Sequence, residues 1–175
     1  MYTTRISFIT NVHGQTVDVV QSPAMATAKQ QLDSLLAKYT PALVSDARRA
    51  LAKMRKLTPG ALELVYDNYN GLVVGFSPNE KPSVAILSLL MLPDHVTLCF
   101  LQGKGLPDPQ KLLKGSGNVV RHLRLESPAT LDEPAVLALL QAAKTRAKVP
   151  LDPKQKRQLI IRSISKKQRP RRPAR

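Results

Sequence analysis

The densest group of residues able to do chemistry lies between Gly103 and Leu125. Gly103-Lys104-Gly105 opens it, and Lys114, Ser116, Arg121 and Arg124 follow in the same stretch. Glycine-rich turns present backbone amides to anions, and Lys, Arg and Ser add further donors, so Lys104, Lys114, Ser116, Arg121 and Arg124 form a candidate anion-binding patch. The stretch is not a P-loop, because Leu106-Pro107-Asp108-Pro109 stands where the longer glycine spacing and its closing Lys-Ser/Thr would be needed. The competing reading makes Gly115 and Gly117 turn residues and the cations a solvated rim.

A second group, Tyr66, Asp67, Asn68 and Tyr69, sits before Asn70-Gly71, a pair that suits a tight turn. These four are a candidate polar pocket at a hairpin end, against the alternative that they only build the turn. No partner acid, base or nucleophile is adjacent in sequence, so the group names no reaction. A third group is the basic C-terminal run, in which Lys166, Lys167, Arg169, Arg171, Arg172 and Arg175 are separated by Gln168, Pro170, Pro173 and Ala174. Such a run favours polyanions by releasing condensed counterions, without reading sequence.

Metal and nucleophile chemistry find little here. His13, His95 and His122 are far apart, none at the i, i+4 spacing of helical zinc sites, and Cys99 is the single cysteine. Cys99 lies inside Val96–Leu101, where a small apolar residue packs, so catalysis is not expected of it. No cofactor and no metal site are expected.

The chain has 175 residues and a net charge of +15, with 43% hydrophobic and 22% charged residues. That composition suits one globular domain with some peripheral chain. Residues 1–24 sum to zero through Arg5 and Asp18; residues 25–150 hold sixteen bases and ten acids; residues 151–175 hold ten bases against Asp152 alone. The excess is thus concentrated at the C-terminal end. No apolar run reaches the roughly 18 residues of a membrane-spanning helix. With no secretory signal pattern and one cysteine, the expected compartment is the cytoplasm.

Several elements must position these groups. Thr27-Ala28-Lys29-Gln30 has the capping-box form and opens a helix carrying Leu32, Leu35, Leu36 and Tyr39. Thr40-Pro41 starts a second helix, with Leu43, Ala47, Ala50, Leu51, Met54 and Leu57 on one stripe and Arg48, Arg49, Lys53, Arg55 and Lys56 flanking it. Leu62, Leu64 and Tyr66 then alternate with Glu63, Val65 and Asp67, and Leu72–Phe76 completes a hairpin. Ser83–Met91 and Val96–Leu101 read as two more strands, a turn of helix is expected at Leu112-Leu113, and Val119–Leu125 reads as a fifth strand. Thr130-Leu131-Asp132-Glu133 reads as another capping box before a helix presenting Val136, Leu139, Leu140, Ala143 and Ala147. Leu159–Ile164 suits an edge strand or an extended segment lying on the domain.

The expected fold is α+β in two layers, an antiparallel sheet of about five strands packed against two N-terminal helices and one C-terminal helix. Residues 25–150 make the domain, and residues 151–175 a basic, largely disordered tail. Residues 1–24 are an extension with a hairpin at Arg5–Thr10 and Thr16–Val20; Met25 before the first helix makes this extension a candidate start-site artefact.

The helix pair, Glu63–Gly71, Gly103–Pro109, and above all Leu112-Leu113-Lys114-Gly115-Ser116-Gly117 followed by Arg121-His122-Leu123-Arg124-Leu125 resemble the YdhG-like domain-of-unknown-function family. The resemblance spans roughly residues 25–148 and implies a compact α+β fold with an antiparallel sheet. It assigns no activity. It also implies a distant association with frataxin-like iron handling, which needs oxygen ligands on an exposed helix face. The two N-terminal helices offer only Asp33 and Asp46 among many bases. The expected function is therefore an uncharacterised, non-enzymatic YdhG-like protein with an anion-favouring surface. The alternatives are an auxiliary nucleic-acid-binding protein and a frataxin-like iron binder. Nucleic acid or an acidic protein are the partners expected of the tail; a membrane is not, and oligomeric state is left open.

Overall fold

The structure, a computed structural model, describes residues 26–173 and, before them, the strands β1 (Ser7–Thr10) and β2 (Thr16–Val19). The two strands pair antiparallel, Ser7 opposite Val19, as the hairpin reading expected; the residues joining them lie outside the described residues. Two helices follow, α1 (Ala28–Leu36) and α2 (Pro41–Leu57). Thr27 and Gln30 form the reciprocal capping box, and the Thr40 hydroxyl accepts from the Leu43 amide with Pro41 in the first turn.

A six-stranded sheet then forms from β3 (Leu62–Asp67), β4 (Leu72–Ser77), β5 (Leu87–Met91), β6 (Val96–Phe100), β7 (Arg121–Leu125) and β8 (Leu159–Ile164). Its order is β7-β6-β5-β4-β3-β8, an antiparallel meander closed by β8 running parallel to β3. The architecture is the expected α+β one, with one strand more than the five of the reading, because Leu159–Ile164 joins the sheet through β3. A parallel partner needs a long crossover, and the whole stretch from β3 to β8 supplies it.

The helical layer covers one sheet face. Leu32, Leu36, Ala47, Leu51 and Met54 meet Val65, Val74, Phe76, Leu89, Leu98 and Leu125 in one buried cluster. The third helix, α3 (Pro134–Thr145), adds Val136, Leu139, Leu140 and Ala143 to the same cluster, and its Lys144 ammonium donates to the Leu57 carbonyl at the end of α2. Each fully buried aliphatic side chain contributes roughly 1.5–3 kcal/mol, so this cluster outweighs any surface ion pair.

Local readings change in three places. Asp108 accepts from the amides of Leu112 and Leu113 and Lys114 bridges to His122, so the expected helical turn at Leu112-Leu113 is extended chain. Residues Pro128–Asp132 form a short 3-10 turn capped by Ser127, and α3 starts at Pro134 without a side-chain cap, so Thr130 does not open the helix. The apolar run from Ser83 begins with a 3-10 turn at Pro82–Val84 before β5. Among the described residues no helix is long and apolar enough to cross a membrane.

Candidate anion-binding surface

Sheet parity decides what β3 offers. Glu63, Val65 and Asp67 face the helices, and Leu62, Leu64 and Tyr66 face away, since Val65 belongs to the helix-covered cluster. Two carboxylates therefore point into the layer between helices and sheet, each nearly fully buried and each surrounded by cations.

Asp67 is the centre of the hairpin-end group. The Lys38 ammonium lies 2.7 Å and the Gln168 amide nitrogen 2.6 Å from Oδ2, and Arg171 Nη2 is 2.8 Å from Oδ1. Arg171 also donates to the carbonyls of Asn68 and Tyr69, and its guanidinium stands 5.9 Å from the Tyr39 ring centre. Of the expected pocket residues, Asp67, Asn68 and Tyr69 thus come together, but the space between them is filled by the chain's own C-terminal segment. Tyr66 belongs to the opposite sheet face.

The tail expected to be disordered is packed on the domain over its described length. Ser165 and Arg169 donate backbone hydrogen bonds to the carbonyls of Asp67 and Tyr69, and the Arg169 guanidinium lies 5.4 Å from the Tyr69 ring centre. Arg172 donates to the Lys38 and Ala37 carbonyls just past α1, where the helix dipole favours a cation. Burial removes Arg171 from any polyanion contact, and Arg169 and Arg172 are held against the domain. Lys166 and Lys167 remain exposed, and Arg175 lies outside the described residues.

Glu63 organises a second cluster. Arg55 of α2 grips it with two bonds, Nε at 2.9 Å and Nη2 at 2.8 Å, and Arg157 approaches within 3.4 Å. The Glu63 hydrogen bonds raise the Arg55 pKa further above its already high range, against the opposing effect of partial burial. Beside this pair lies a cleft of about 510 Å³ between α1, α2 and β8, floored by Leu32, Leu36, Leu51 and Leu159 and edged by Lys29 and Arg48. Its cations are largely answered: Arg48 pairs with Asp33, and Arg55 and Arg157 with Glu63.

The Gly103–Leu125 stretch gives a different balance. Gly103 approaches the start of β7 so closely that a Cβ there would lie 2.6 Å from Arg121 Cβ. The Lys104 amide bonds the Val119 carbonyl, and Lys114 pairs with His122 beside Arg121. Arg146, just past α3, donates to the Lys104 carbonyl and brings a further guanidinium to this edge. Arg121 and Arg124 do not converge, because three positions along a strand place them on opposite faces; Arg124 sits 3.9 Å from Glu126. Ser116 is exposed on the loop, with no hydrogen bond to the group among the described residues.

Lys104, Lys111, Lys114, Arg121 and Arg146 share one property: among the described residues none has a carboxylate within ion-pair distance. The Arg121 guanidinium instead bonds the carbonyls of Gly117 and Val120, which fixes its position without neutralising it. The sequence reading missed Lys111 and Arg146. The signal for Arg146 was its place just after an apolar helical stripe, but the loop it would meet is some forty residues away.

Among the described residues the remaining titratable groups form no reactive pair. Burial pushes the Cys99 thiol above its ordinary range despite a hydrogen bond with Ser88, the reverse of an activated thiolate, although His122 faces it across the strands. His95 is hydrogen-bonded to Asp94 at 2.8 Å and holds that carboxyl below its usual range. Among the described residues no three His, Cys, Asp or Glu side chains gather where a metal ion could be held, and Asp33 and Asp46 are each paired with an arginine. Compared with protein-family models, curated proteins and solved structures, the chain matches none of them.

Proposed function

We propose that the chain is a non-enzymatic YdhG-like domain protein that binds anionic polymers, nucleic acid foremost, at the edge formed by Lys104, Lys111, Lys114, Arg121 and Arg146. The observation that carries this reading is the uncompensated charge of that edge. A cation already paired to a carboxylate must break that pair before it meets a phosphate, whereas these five have no ion pair to give up and keep their full charge. Exposed Lys166 and Lys167 add charge on the C-terminal segment. Aromatic platforms are few, so stacking contributes little and binding is insensitive to base sequence.

Fluorescence anisotropy with a short single-stranded RNA and a duplex DNA, over a series of salt concentrations, tests it. Binding at low salt that weakens log-linearly with salt, and that the double variant Lys104→Glu/Lys114→Glu weakens, is the expected result. No binding at low salt, or equal binding by the double variant, overturns it.

A further inference from the structure

The sheet face away from the helices is built as an interior. Leu62 and Leu64 are 6% and 1% exposed, yet neither belongs to the core cluster that joins the helices to the sheet. Leu64, Gly75, Ser88 and Cys99 form one row across four strands, with no charged side chain among them. The next row, from Tyr66 through Val73 and Leu90 to Thr97, also has none before Arg124 on the outer strand β7. Gly75 leaves a dent in the middle, where an added Cβ would meet only Leu64 among the described residues. Tyr66 Oη is buried and finds no hydrogen-bond partner among them. A buried phenol without a partner is costly, so the face asks for an occupant with a free backbone polar group.

We propose that this face is the docking surface for residues 1–25 of the same chain, laid on it as the β1–β2 ribbon. Positions 7, 9, 17 and 19 share one side of that ladder, and three of the four are Ile or Val. An isolated two-stranded ribbon is marginal in water and gains its stability by covering an apolar surface. The segment carries only Arg5 and Asp18, which sum to zero, so docking on an uncharged face strands no excess charge. Reach is sufficient: α1 packs on the edge strand β8, and the residues from 20 to 27 span up to about 26 Å extended, more than the roughly 20 Å that two layer spacings put between α1 and the opposite face. A ribbon tethered this closely has an effective concentration on the order of millimolar, which disfavours a second copy of the chain. In a two-stranded ribbon each strand has one edge outside the ladder, and a carbonyl there can receive the Tyr66 hydroxyl.

Cys99, the single cysteine, stands on this face and reports its cover. The test compares the rate of N-ethylmaleimide labelling in the full chain and in the chain lacking residues 1–24, with circular dichroism verifying the fold. Labelling at least about tenfold faster in the shortened chain is expected. Should the shortened chain fail to fold, Val17→Asp in the full chain serves the same purpose and is expected to speed labelling while circular dichroism stays unchanged. Equal rates in the full and altered chains overturn the proposal. Protection that depends on protein concentration overturns it too, by assigning the face to a second copy.

Discussion

Arg171 and Asp67, 104 residues apart, meet through Nη2 and Oδ1 at 2.8 Å with both side chains almost fully removed from water. A pair buried to this depth is costly to form, and its geometry matters because one partner alone would be an uncompensated charge. Here the compensation is broad, since Asp67 also accepts from Lys38 and Gln168, and Arg171 finds the carbonyls of Asn68 and Tyr69. The C-terminal segment is therefore a structural part of the domain, tied to the end of the β3–β4 hairpin.

Removing one partner tests that tie. Arg171→Ala should destabilise the fold by about 3 kcal/mol, the scale of a buried carboxylate losing its main partner, softened by the donors that remain. Urea unfolding measures it. A loss below about 0.5 kcal/mol, the range of an ordinary surface substitution, would mean that the tail is not held.

Tyr39 makes stability sensitive to alkali. Its hydroxyl donates to the Met91 carbonyl, accepts from the Leu72 amide, and is pushed above the ordinary tyrosine value of 10.0, mainly by burial. The folded state then holds this proton more tightly than the unfolded chain, so the contribution is complete below the unfolded value and disappears as pH rises through the folded one. Stability should fall above about pH 10, and Tyr39→Phe should flatten that fall while lowering stability at neutral pH. Phenolate absorbance should show a late-titrating component in the parent chain that the variant lacks.

Gly60 has φ +79°, and a Cβ there would sit 1.8 Å from the Asp152 carbonyl oxygen. Gly60→Ala combines left-handed strain with a backbone collision that no rotamer relieves, so a loss of at least about 2 kcal/mol is expected. Thermal unfolding would read it, and an unchanged midpoint would show that the 151–158 segment lies elsewhere.

Polyanion binding should respond in slope as well as strength. Each phosphate contact contributes about 0.9 to the slope of log affinity against log salt on duplex DNA, so Lys104→Glu/Lys114→Glu should reduce that slope by about 2. Arg48→Glu, which alters a cation already paired with Asp33, should change it little. An Arg48→Glu effect half that of the double variant, in proportion to the charge each changes, would show that net charge, and no particular edge, governs binding.

Helices were the most legible elements, because Thr27 and Thr40 cap them locally and their apolar stripes repeat within a few residues. The meander was legible for the same reason, as short turns join neighbouring strands. The candidate patch was readable only in part: Lys104, Lys114 and Arg121 lie close in sequence and backbone bonds to Val119 and His122 tie their segments together, while strand parity sends Arg124 to the face opposite Arg121. Arg146 and the C-terminal arginines were read without their partners, since nothing local ties Arg171 to a residue 104 positions earlier.

Composition and periodicity by themselves established the α+β class, the helix pair, the hairpin and an excess of positive charge, all properties of residues near one another along the chain. Only the tertiary structure decided which face of β3 is covered, that two acids lie inside it, and which cations keep their charge. Alternation gives the two sides of a strand but not their neighbours, and whether a charge is answered depends on carboxylates that chain folding brings from far away.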